Sequence, residues 1–109
     1  MTERFDKLEQ LLGGYFHQDW DTEGANDAEV IAAFRRTEPV NQIEATIAEI
    51  DHLLQLFTGD PLKIEELLGA LGCEYYYQAY GLNGQEWLQR VRSLLLSPEP
   101  QPRLSSRPR

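Results

Sequence analysis

The stretch Pro39-Val40-Asn41-Gln42-Ile43-Glu44-Ala45-Thr46-Ile47-Ala48-Glu49-Ile50-Asp51-His52-Leu53-Leu54-Gln55-Leu56-Phe57-Thr58 decides the fold. Its apolar positions Val40, Ile43, Ile47, Ile50, Leu54 and Phe57 advance by three and four residues alternately, which is the period of one helix face. Pro39 suits the first helical turn and Gly59 suits the end. Twenty residues of helix make a rod of roughly 30 Å, about the width of a small domain, so this segment is expected to be the central helix.

The flanking segments carry the same spacing. Phe5, Leu8, Leu11, Leu12 and Tyr15 form a stripe behind a Thr2 cap, and Gly13-Gly14 is expected to loosen the chain there. A second helix is predicted from Asp27 to Arg36, capped by Asn26 with Glu29 three residues on, and burying Val30, Ile31 and Phe34. Asp60-Pro61 starts a fourth, with Leu62, Leu67, Leu68 and Leu71 inward and Gly72 as its stop. The last is capped by Asn83 and Glu86, stapled by Leu82 and Trp87, and continued by Leu88, Val91, Leu94 and Leu95 until Pro98. No segment sustains two-residue alternation. The expected fold is an all-α, compact single-domain bundle of about five helices spanning residues 1–96. Residues 97–109, with four prolines in thirteen positions, read as a disordered tail.

Composition narrows the function. With 109 residues, 41% apolar and 26% charged, the chain is an ordinary globule. One cysteine, Cys73, excludes an internal disulfide and a multi-cysteine zinc site. The beginning Met1-Thr2-Glu3-Arg4-Phe5-Asp6 lacks an export pattern and no apolar run reaches membrane-spanning length, so a cytoplasmic location is expected. Residues 1–88 hold seventeen acids against five bases, a net of minus twelve. Such a surface repels phosphates, which disfavours a nucleic-acid partner and favours a cationic protein. The bland reading is that acidity serves solubility alone.

Two aromatic-rich connections escape the helical pattern, residues 13–24 and 73–81, and connections on a rigid frame are where function usually sits. In the first, Asp19, Asp21 and Glu23 lie in a region without Lys or Arg between Lys7 and Arg35, together with Glu9, Asp27 and Glu29. These six carboxylates repel one another unless an external cation meets them. His17, Asp19 and Asp21 at alternate positions are a weak metal signature, since they face together only in an extended strand. No Gly-rich phosphate loop, Ser-centred elbow or Cys–His pair points to catalysis, so neither an enzyme nor a cofactor is expected. Cys73 reads as an inert thiol, His17 as a loop-bracing donor, and the Trp20 ring as a core plug beneath its loop rather than an exposed anchor.

On the long helix, Glu44, Ala48, Asp51 and Gln55 line one strip beside the apolar seam, which is either a solvated face or a contact surface. Tyr75, Tyr76, Tyr77 and Tyr80 are too many phenols for one small core, so one or two of them belong at the surface.

The run Leu11-Leu12-Gly13-Gly14-Tyr15-Phe16-His17-Gln18-Asp19-Trp20-Asp21, followed by Gly72-Cys73, Gly81-Leu82 and Glu86-Trp87-Leu88, resembles the CdiI-type immunity proteins of bacterial contact-dependent growth inhibition. The resemblance spans roughly residues 5–95. It implies a protein that binds the C-terminal toxin domain of a CdiA-type effector, one to one, and neutralises it; many such toxins are nucleases. Members sharing the Gly-Gly-Tyr-Phe-His-Gln-Asp-Trp-Asp run are expected to face different toxins, which makes that run a candidate folding signature. The expected toxin-binding set therefore draws on both regions: Asp19, Asp21, Glu23 and Asp27, with Glu44, Asp51, Tyr76, Tyr77 and Tyr80. Two other readings are an acidic helical adaptor with no toxin partner, and a metal-dependent enzyme on His17, Asp19 and Asp21.

Overall fold

The computed structural model describes residues 5–22 and 24–96. Glu23, the Thr2 cap and the tail 97–109 lie outside the described residues. Five helices follow one another: α1 (Asp6–Tyr15), α2 (Asp27–Thr37), α3 (Val40–Leu56), α4 (Pro61–Ala70) and α5 (Gly84–Leu96). Two short 3₁₀ turns, Trp20–Thr22 and Tyr77–Tyr80, sit in the aromatic connections. Among the described residues there is no strand, and no helix is long and apolar enough to cross a membrane.

Three of the helix starts form as the sequence dictates. The Asn26 side chain accepts the Glu29 N–H at 3.0 Å, while Glu29 reaches back to the Ala25 N–H at 2.8 Å. Asp60 accepts the Lys63 N–H ahead of Pro61. Asn83 and Glu86 exchange bonds of 2.8 and 3.0 Å, a complete capping box. The start of α1 is served from outside the helix: Phe5 is its cap residue, and the Glu49 carboxylate of α3 accepts the Leu8 N–H.

The helix expected to be central is not. The buried residues of α3 are Thr46, Ile50 and Leu53, whereas Ile43, Ile47, Leu54 and Phe57 are half-buried and Val40 is exposed. The element touching most of the others is α5, which packs against α2, α3 and α4, while α1 packs on α3 and α2. Its Trp87, Leu88, Val91 and Leu95 reach the middle of the core. Two other expectations are corrected. First, α1 continues through Gly13-Gly14 to Tyr15. Second, Leu62 is exposed and Ile64 takes the inward place on α4, because residues two apart on a helix point about 200° apart and Ile64 shares a face with buried Leu68.

Candidate functional site

The two aromatic connections are sewn together where α1 ends and α4 ends. Gly72 has φ of +99°, and a Cβ there would stand 3.0 Å from the Gly13 Cα, so glycine is needed for backbone conformation and for space alike. That approach brings the Phe16 carbonyl to the Glu74 N–H at 2.7 Å. Aromatic rings then close over the join. Phe16 meets Trp87 edge-on at 5.2 Å and Tyr75 at 5.6 Å, and Trp20 meets Tyr75 edge-on at 4.8 Å. Tyr77 lies flat on Trp87 at 5.0 Å, and Tyr80 stacks on Tyr75 at 6.2 Å. These are the offset and edge arrangements that ring quadrupoles favour. Within the Gly-Gly-Tyr-Phe-His-Gln-Asp-Trp-Asp run, Phe16 is buried and Tyr15, His17 and Trp20 are half-buried, whereas Gly13, Gly14, Gln18, Asp19 and Asp21 are exposed.

Beside this cluster lies the feature that the sequence hid. Asp27, the first residue of α2, is buried, and its carboxylate accepts the Trp87 indole N–H at 3.1 Å and two bonds from Arg90, Nε at 2.8 Å and Nη2 at 2.9 Å. Burial on its own would raise the Asp27 pKa. The bonds from Arg90 and Trp87 and the Arg90 charge outweigh it, so the carboxyl sits below its ordinary value. The cation that the acidic region needs is thus internal, at least for Asp27, and stands 63 residues along the chain. The sequence signal that was available is the i, i+3 spacing of Trp87 and Arg90, which puts an indole N–H and a guanidinium on one helix face.

A cleft of about 630 Å³ opens above this pair, walled by Tyr75, Tyr80, Leu82, Trp87 and Arg90 and edged by Asn26. Burial pushes the Tyr75 phenol up to about 12, with the Asp27 charge adding to the effect, and burial with the Glu65 charge does the same for Tyr77. Burial likewise lifts the Cys73 thiol to about 11, which leaves it protonated and unreactive near neutral pH.

The structure distributes the expected binding residues over distinct settings. Asp19 and Asp21 are exposed at the 3₁₀ turn whose Trp20 ring is half-buried against Tyr75. His17 braces this turn as an acceptor and not as the expected donor, because its Nδ1 takes the Asp19 N–H at 3.0 Å. Tyr76 and Tyr80 are each 68% exposed, whereas Tyr77 is buried. Asp27 and Tyr77, both in the expected toxin-binding set, are buried in the isolated chain. Glu44 and Asp51 are exposed on α3, and Asp51 is engaged by Arg92 of α5. Since Arg90 and Arg92 point about 200° apart on α5, the α3 strip and the aromatic cleft occupy different sides of that helix.

Among the described residues no group of three or more His, Cys, Asp or Glu is arranged to hold a metal ion. What the site offers is a rigid aromatic rim, exposed carboxylates and a charge-matched cleft, features suited to protein contact.

No curated protein sequence matches the chain. Among solved structures, a chain in the crystal structure of the CdiA-CT/CdiI complex from Y. kristensenii is similar to it at 33% identity with a TM-score of 0.78, over 85% of this chain and 99% of that one. The CdiI immunity protein family pattern matches residues 4–95, nearly the whole described body, and the chain therefore belongs to the CdiI immunity protein family.

Proposed function

We propose that this chain binds the C-terminal toxin domain of its cognate CdiA-type effector in the cytoplasm, one to one, and neutralises it as a non-enzymatic inhibitor, and that the toxin is a nuclease. The observation that carries the nuclease reading is the formal net charge of −8, with Asp19, Asp21 and Glu44 exposed on a rigid frame. A nuclease lines its cleft with Lys and Arg to hold phosphates, so an acidic, aromatic-studded surface competes for that cleft as a substrate mimic. Complementary fields raise association toward ~10⁸ M⁻¹s⁻¹ at low salt, fast enough to intercept a lethal enzyme. Family membership and the likeness to a chain of a CdiA-CT/CdiI complex support the inhibitor reading.

Within that reading, Asp19, Asp21, Tyr76 and Tyr80 form one contact region and Glu44 with Asp51 a second, while Glu23 of the expected set lies outside the described residues. Asp27 and Tyr77 act from beneath by holding the first region in place. The test is co-expression of this chain with the CdiA C-terminal domain encoded immediately upstream. Growth is restored only if the pair is cognate, and failure to restore it contradicts the proposal. Adding the purified chain to purified toxin with RNA and DNA substrates then tests the nuclease assignment: cleavage that stops on addition supports it, and a toxin inert on both substrates contradicts it.

A further inference from the structure

The cleft beside α5 differs from the rest of the acidic surface in being charge-balanced. Both oxygens of the Asp27 carboxylate are engaged, Oδ2 by Trp87 and by Arg90 Nε, and Oδ1 by Arg90 Nη2. A lysine or arginine entering this space would approach the Arg90 guanidinium and find the nearest carboxylate already occupied, which is unfavourable for a like charge. An entering carboxylate would reach only the outer N–H groups of a guanidinium whose charge Asp27 already neutralises, and would meet the repulsion of that buried anion. An uncharged side chain meets neither penalty. The walls then say what kind: the Tyr80 ring is 68% exposed and lies within 8° of parallel to Tyr75, Trp87 is stacked behind, and Leu82 closes the apolar side. Flat walls of this kind select a flat guest. The volume of about 630 Å³ holds one large side chain with its flanking backbone.

We propose that the cleft lined by Tyr75, Tyr80, Leu82, Trp87 and Arg90 is an anchor socket that receives one uncharged aromatic side chain from the toxin. This rests on the functional reading above and adds a division of labour. Exposed carboxylates steer the toxin in through its charge, and the socket holds it by a contact that carries no net charge. Such a socket prolongs the complex rather than speeding its formation.

The test uses the intact chain and the purified CdiA C-terminal domain, with binding measured at low and high salt. Tyr80→Ala removes the exposed wall, and Ala25→Trp fills the mouth from a position that is itself exposed. Each is expected to raise Kd about tenfold or more, mainly through faster dissociation, and by the same factor at both salt concentrations. Tyr80→Phe, which keeps the ring, is expected to bind within about twofold of the parent. If the parent binds and both Tyr80→Ala and Ala25→Trp bind within about twofold of it, the socket is overturned while the inhibitor reading stands. If the parent itself does not bind, the inhibitor reading falls and takes the socket with it.

Discussion

Asp27 and Arg90 form a two-point ion pair that ties the start of α2 to the middle of α5, with Nε–Oδ2 at 2.8 Å and Nη2–Oδ1 at 2.9 Å. The carboxylate is buried and the guanidinium is half exposed, so the arginine keeps part of its hydration while the aspartate depends on its protein partners. Removing either partner is therefore unequal in effect. The Trp87 indole N–H completes the arrangement and joins it to the aromatic cluster.

Asp27→Ala is expected to destabilise the protein by about 2–3 kcal/mol, because it strands the buried Trp87 N–H and removes two charge-assisted bonds. Arg90→Ala is expected to cost more, because it leaves the buried carboxylate without its counter-charge. Urea unfolding of each variant checks this, and the double variant should cost less than the sum of the two, since the residues share one interaction.

The same pair sets the acid limit. Asp27 has a folded pKa below its ordinary 3.8, so it contributes stability that is fully present above that value and is lost as pH falls through the lower folded value. Stability measured below about pH 4 should decline less steeply in Asp27→Asn than in the parent. At the alkaline end the sign reverses. Tyr75 and Tyr77 are raised from 10.0 to about 12, so the stability they contribute is intact below pH 10 and disappears as pH rises toward 12. Phenolate absorbance should show these two rings ionising together with loss of near-UV circular dichroism.

Two glycines with left-handed φ separate conformational cost from steric cost. Gly59 has φ of +82° and open space around a would-be Cβ, whereas Gly72, at +99°, faces the Gly13 backbone at 3.0 Å. Gly59→Ala should cost only the backbone penalty, about 1 kcal/mol. Gly72→Ala should cost clearly more, because one backbone must move away from the other and the Phe16–Glu74 bond is carried with it. Thermal denaturation of the two variants side by side makes the comparison.

Local rules were sufficient for the parts of this fold that are local. The Asn26, Asp60 and Asn83 caps were readable because the bonding partner is three residues away. The stripe on α5 was readable because its period is helical. Long-range relations were not. Nothing near Asp27 announces Arg90, and treating the region from Lys7 to Arg35 as a block lacking cations concealed a pair that crosses the molecule. The length and strong periodicity of α3 drew attention to it, yet the central position belongs to α5, whose bulky Trp87 fills the join between helices. Gly13-Gly14 read as a break because intrinsic propensity favours one, yet α1 runs through it to Tyr15, and the Gly13 backbone packs closely against Gly72 of the other connection. Of the four tyrosines between 75 and 80, the exposed state of two was foreseeable from their number, while which two was decided by the stacking of Tyr75 and Tyr77 on Trp87.

The central claim is that outward negative potential meets a cationic toxin surface, and stopped-flow association with the CdiA C-terminal domain across a salt series tests it most directly. The account predicts a rate constant that falls steeply as ionic strength rises, and a slower, flatter dependence for Asp19→Lys with Asp21→Lys or for Glu44→Lys with Asp51→Lys. A parent rate that stays level or climbs with added salt would contradict it.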